Sequence, residues 1–108
     1  MITFEEFKKA EIKTGKILSA EKVPDADKLI KLTVDIGEET PRQILSGVAL
    51  HYPDPSVLVG KLVPVLANLP TRTIRGLESQ GMVLYAVGEG FATTVEPGTE
   101  IPAGTPIQ

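Results

Sequence analysis

Five strand-like runs, a stretch of strict apolar–polar alternation at Ile30–Ile36, and a capped helical turn between the third and fourth runs predict an all-β fold. The arrangement fits a small five-stranded barrel of the OB type better than a sandwich, which usually needs about seven strands. With 108 residues there is room for one domain, divided as a short helix (3–10), a barrel (11–87) and a C-terminal extension (88–108).

Each element follows from local chemistry. Thr3 followed by Glu6 has the form of a capping box, with Phe4 and Phe7 on one edge, so Thr3 to about Ala10 reads as a short helix. The first strand, Ile12–Leu18, contains Gly15, which predicts a bend or a close approach of another chain segment. In the second, Ile30, Leu32, Val34 and Ile36 point one way while Lys31, Thr33 and Asp35 form a polar face. A Gly37–Pro41 turn leads to the third strand, Arg42–Val48. Asp54 then caps a helical turn with Pro55 at its first position, a turn expected to plug the barrel. The fourth strand, Lys61–Leu69, contains Pro64, which lacks a ladder donor and is expected at an edge or bulge. A long loop, Pro70–Ser79, precedes the fifth strand at about Gly81–Val87, and the Gly- and Pro-rich tail offers strand fragments at Ala92–Val95 and Thr105–Ile107.

Composition excludes several function classes. There is no cysteine, which removes disulfides, thiol catalysis and cysteine-type zinc sites and fits a reducing compartment. The single histidine, His51, leaves neither a metal cluster nor a Ser–His arrangement, so neither metal nor cofactor nor catalysis is expected. Asp25 and Asp27 flank Ala26 in a turn, where local backbone hydrogen bonding explains them better than acid–base chemistry. Without a signal-like N-terminus or a membrane-length apolar run, the chain is expected to be soluble and cytoplasmic, with no membrane partner. Met1 directly before the capping box suggests a free-standing chain, and a C-terminal domain cut from a longer protein would read identically.

The net charge of −3 conceals an asymmetry. Thr40–Gly76 carries Arg42, Lys61, Arg72 and Arg75 against Asp54 alone, whereas Gly76–Gln108 has Glu78, Glu89, Glu96 and Glu100 and no cation. In OB barrels the ligand face is built from strands two and three and from the loops joining strands one to two and four to five. Those parts here hold Lys28, Lys31, Arg42, Arg72 and Arg75. On composition alone, solvated surface charge explains these cations equally well.

Two stretches add to that reading. Pro24-Asp25-Ala26-Asp27-Lys28-Leu29 precedes the alternating strand and Arg42-Gln43-Ile44-Leu45-Ser46-Gly47-Val48. Leu58-Val59-Gly60-Lys61 precedes Ala67-Asn68-Leu69 and Arg75-Gly76-Leu77-Glu78-Ser79-Gln80-Gly81-Met82. Together they resemble the tRNA-binding domain found at the C-terminus of many methionyl-tRNA synthetases, in free-standing dimeric tRNA-binding proteins, and in synthetase cofactors related to endothelial monocyte-activating polypeptide. The resemblance covers nearly the whole chain. It implies an OB barrel that binds tRNA by shape, without catalysis, as a homodimer joined through its terminal extensions, with methionyl-tRNA synthetase as a partner. By position it assigns Lys28, Asn68, Arg72, Arg75, Ser79 and Met82 to the RNA-binding surface. The strand pattern adds Lys31, Arg42 and Ser46.

Family loops often read Asn-Leu-Lys-Pro-Arg-Lys, whereas Asn68-Leu69-Pro70-Thr71-Arg72-Thr73 is two basic residues poorer. Weaker, steeply salt-sensitive binding is the expectation. Two rival functions share the fold: chaperone-like binding of unfolded polypeptide, and a synthetase assembly module with weak RNA affinity.

Overall fold

The computed structural model describes every residue from Met1 to Gln108. Its first element is the expected capping box: the Thr3 hydroxyl accepts from Glu6 N at 3.1 Å, and Thr3 N donates to the Glu6 carboxylate at 3.0 Å. The helix that follows, α1 (Phe4–Lys8), buries none of its residues and leaves Phe4 and Phe7 exposed.

Strand β1 (Ile12–Lys22) runs well past Leu18. Its first part pairs antiparallel with β4 (Leu62–Leu66) and its second with β2 (Ile30–Asp35), around a bulge between Ile17 and Ser19. The close approach expected at Gly15 has a steric cause. A Cβ there would lie 2.6 Å from Val34 Cγ1 and 2.8 Å from Val65 Cγ2, so only glycine lets the curved wall fold over the core. Strand β2 pairs onward with β3 (Arg42–Ser46), and β4 pairs with β7 (Met82–Val83), giving the order β3-β2-β1-β4-β7.

The alternating face fills the barrel. Ile30, Leu32 and Val34 are fully buried with Ile36 beside them, joined by Ile17, Ile44, Val63 and Val65. Each such side chain contributes about 1.5–3 kcal/mol relative to exposure. Two 3₁₀ turns, Ala49–His51 and Pro55–Leu58, lie between β3 and β4. The Asp54 carboxylate caps the second by accepting from Ser56 N at 3.1 Å, and Leu58 enters the core as the expected plug.

Backbone and side-chain bonds close the seam between β3 and Ser79-Gln80, the segment that leads into β7. Gln80 N donates to Gln43 O at 2.8 Å, Gln43 N to Gln80 Oε1 at 3.1 Å, and Leu45 N to Ser79 Oγ at 3.0 Å. The result is a nearly closed antiparallel barrel of the OB type.

Three further elements differ from the sequence-based outline. Pro64 lies on a strand flanked on both sides, but β7 pairs only with Val65 and Leu66, so the donor Pro64 lacks falls where that pairing ends. The fifth strand breaks at Leu84, whose N donates to Pro64 O at 3.0 Å; β7 lies before the break and β8 (Tyr85–Gly88) after it. Strand β8 then forms a separate hairpin with β9 (Phe91–Thr94). The loop expected at 70–79 is itself a hairpin, β5 (Arg72–Ile74) with β6 (Leu77–Ser79).

The tail returns to the barrel. Strand β10 (Pro106–Ile107) pairs with Lys13 and Ile12 of β1. Buried Thr14 secures it: its hydroxyl donates to Pro102 O at 2.8 Å and accepts from Thr105 N at 3.0 Å. Its backbone N donates to Thr105 O at 2.9 Å, and its O accepts from Gly104 N at 2.7 Å.

Candidate functional site

The site begins with a strained turn. The β5–β6 register pairs Ile74 with Leu77, leaving Arg75-Gly76 as a two-residue connection with φ of 53° and 78°. Positive φ at both central residues is the type I′ geometry, whose backbone twist suits a hairpin. Glycine adopts it freely; arginine does so at a cost of about 1 kcal/mol.

A second apolar cluster fixes where that hairpin lies. Val23, Ala26 and Leu45 are buried together, with Leu29, Ile74 and Leu77 packed against them. These residues come from the β1–β2 loop, from β3 and from both strands of the hairpin, so one small cluster outside the main core brings together the two loops expected to carry the site. Beside it runs a groove of about 340 Å³, lined by Leu29, Leu45, Leu69, Ile74, Met82 and Tyr85, with Arg72 also in its wall.

The candidate residues divide by what their side chains already touch. Lys28, Arg72 and Arg75 are exposed and enter no ion pair or side-chain hydrogen bond, and Met82 is partly exposed in the groove wall. Lys31 pairs with Glu21 at 2.8 Å. Arg42 forms a fork with Glu38, both contacts at 2.8 Å, and also donates to two backbone carbonyls. That fork holds the Glu38 carboxyl below its ordinary pKa and raises the Arg42 guanidinium, with burial opposing in each case.

Ser46 is buried and accepts from the Tyr85 hydroxyl at 3.0 Å. Burial pushes the Tyr85 phenol up, and the Ser46 bond offsets part of the effect. Ser79 is buried at the barrel seam, accepting from Leu45 N. Asn68 Nδ2 donates to Lys9 O at 2.6 Å and its Oδ1 accepts from Glu11 N at 2.9 Å, extending the β1–β4 ladder by one side-chain rung. The residues that pattern reasoning missed are the apolar ones, Ile74 and Leu77, which flank Arg75-Gly76 and seat the hairpin. Their signal was an apolar residue on each side of a Gly-containing dipeptide.

A hairpin carrying Arg72 and Arg75 and a loop carrying Lys28 beside Asp25 and Asp27 meet next to an apolar groove. Their place on the strand two and three side of a small Greek-key barrel defines the class, an OB-fold ligand-binding domain. The chain belongs to the family described as "Putative tRNA binding domain", whose model matches residues 12–106. It is 54% identical over 105 residues to a methionine–tRNA ligase of Methanoregula boonei and 46% identical over 107 residues to that of Enterococcus faecalis, covering 94% and 98% of this chain. In each case it spans 16% of the relative's length. Among solved structures it is similar to a MetRS-related protein of Pyrococcus horikoshii, with TM-score 0.91, 36% identity and 100% and 98% of the two chains covered. It is also similar to the chaperone CsaA of Bacillus anthracis, with TM-score 0.87, 29% identity and 100% and 99% coverage.

Proposed function

We propose that this chain is a non-catalytic tRNA-binding module of the cytoplasm that reads the shape of folded tRNA rather than its base sequence, and that it works as a homodimer. One observation carries the reading. Unpaired Arg72 and Arg75 on a hairpin, with Lys28 on the neighbouring loop, accompany an apolar groove that both loops help to seat. Cations of this kind neutralise phosphates, and the Met82-containing wall suits the apolar face of an unstacked base or ribose. No catalytic group is required for that task. The likeness to methionine–tRNA ligases supports a role in presenting tRNA to such a synthetase, as its C-terminal part or as a separate subunit.

The dimer reading rests on exposed apolar surface on helix α1 and in a hollow between the barrel and the C-terminal tail. Helix α1 exposes Phe4 and Phe7, and an almost wholly apolar hollow of about 410 Å³ lies between Ile12, Pro64, Leu84, Val95, Ile101 and Ile107. A second copy supplies both surfaces at once. Sedimentation at micromolar concentration should report twice the chain mass, and a monomer would remove this part of the proposal.

The binding test is a titration of the protein with total tRNA and with an equal mass of unstructured RNA. Preference for tRNA is expected, steeply weakened by salt, with the slope of log affinity against log salt reduced by roughly 1.5–2 in Arg72→Ala/Arg75→Ala. Equal, mutation-insensitive binding of the two RNAs would defeat the proposal. A second reading, capture of unfolded polypeptide, is favoured by the apolar lining of the groove and the likeness to CsaA. It predicts suppression of aggregation by a model substrate that tRNA does not compete away.

A further inference from the structure

The excursion carrying Arg72 and Arg75 leaves the barrel after β4 and returns just before β7, and one side chain grips both stems. Arg42 Nη1 donates to Ala67 O at 2.6 Å on the outgoing stem and to Gln80 O at 3.2 Å on the returning one. Its Nε and Nη2 donate to the two carboxylate oxygens of Glu38, each at 2.8 Å. Guanidinium has five N–H donors, so a single one is left to offer a phosphate. Asn68, next along the outgoing stem, is tied from the opposite side to Lys9 and Glu11.

We propose that Arg42 is a positioning residue for RNA binding: its guanidinium staples both stems of the Arg72–Arg75 hairpin, and Glu38 holds the guanidinium in register. This rests on the reading of that hairpin as an RNA-contact element and supplies the reason it is ordered before RNA arrives. Pre-ordering lowers the entropic cost that a mobile loop would meet on binding. The planar fork is essential, because a lysine ammonium keeps the charge but cannot reach the carboxylate and two carbonyls in that geometry.

Amide hydrogen exchange on the free, full-length protein tests the staple directly. Arg42→Lys should raise exchange of the Thr73–Ser79 amides by about tenfold or more, the loss of roughly one charge-assisted hydrogen bond, while β2 amides stay protected. Glu38→Gln should act in the same direction with smaller amplitude. Affinity for tRNA should fall in both variants, and Arg42→Lys should add nothing in the Arg72→Ala/Arg75→Ala background. Glu38→Gln makes the protein less negative, so simple attraction for phosphate would strengthen binding; a fall is the mark of positioning.

Unchanged hairpin exchange in Arg42→Lys overturns the proposal. Full affinity in Arg42→Lys with loss in Arg42→Gln does so too, because it marks a direct charge contact. Should Arg42→Lys fail to fold, Glu38→Gln decides by the same exchange readout. A wild-type protein without preference for tRNA would sink the proposed function, while the exchange of the free protein would still decide the staple.

Discussion

Replacing Arg75 with Asn should move stability and RNA affinity in opposite directions. Arg75 sits at φ 53° beside Gly76 at φ 78°, in a two-residue turn where Asn-Gly is the favoured pair. An ordinary side chain in the left-handed region costs about 1 kcal/mol, and asparagine tolerates that region well. Arg75→Asn therefore recovers about 0.5–1 kcal/mol, and in a domain of this size raises Tm by about 2–6 °C. The same change removes an exposed cation that has no protein partner, so tRNA affinity should fall and the salt slope should shrink by about 1. Thermal unfolding followed by circular dichroism gives the first quantity, and filter binding at several salt concentrations the second. A variant that unfolds at a lower temperature would refute the strain argument. Unaltered affinity and slope would refute the assignment of Arg75 to the RNA surface.

Three further outcomes follow from the packing and charge pattern. Thr14→Val keeps the shape of a buried side chain but removes the hydroxyl that serves Pro102 O and Thr105 N. It should cost about 2 kcal/mol in urea unfolding, mostly from stranding the Thr105 amide. Leu77→Ala should cost only about 1–2 kcal/mol, because Leu77 is half-buried outside the main core, yet it should lower tRNA affinity by loosening the hairpin. In acid, Glu38 sets part of the pH response: its folded-state pKa is depressed, chiefly by the Arg42 hydrogen bond. Its contribution is complete above the ordinary glutamate value of about 4.3 and disappears as pH falls through the lower folded value. Glu38→Gln should be less stable than wild type at neutral pH and converge with it in acid, leaving the share of Asp54, whose carboxyl Ser56 likewise holds low. Parallel stability curves down to strong acid would contradict this.

What could be read from the sequence was whatever has a local period or a local cap. Ile30, Leu32, Val34 and Ile36 alternate and are buried together; Thr3–Glu6 and Asp54–Pro55 cap through neighbours in the chain. The turn of the β5–β6 hairpin escaped because Arg at a left-handed position runs against propensity, and three-residue strands are too short to show a period. Strand β1 was cut short because Ser19-Ala20-Glu21-Lys22 is a poor strand sequence that pairing with β2 overrides. At the site, sequence position alone could not separate Arg72 and Arg75, which are free, from Arg42, Asn68 and Ser79, whose polar atoms are occupied by backbone groups far along the chain. Long-range side-chain-to-backbone bonds leave no mark on local pattern.

The small cluster of Val23, Ala26, Leu45, Leu29, Ile74 and Leu77 is distinct from the fourteen-residue core inside the barrel. The barrel core and the footing of the proposed RNA-contact loops are thus largely different sets of side chains, and substitutions in the two should combine almost additively. For protein engineering, the loops and their apolar footing form a transplantable unit. The exposed positions within 24–28 and 69–78 can be diversified together while the cluster residues, Ser79 and β1, β2 and β4 stay fixed, which leaves the barrel core and its seam untouched.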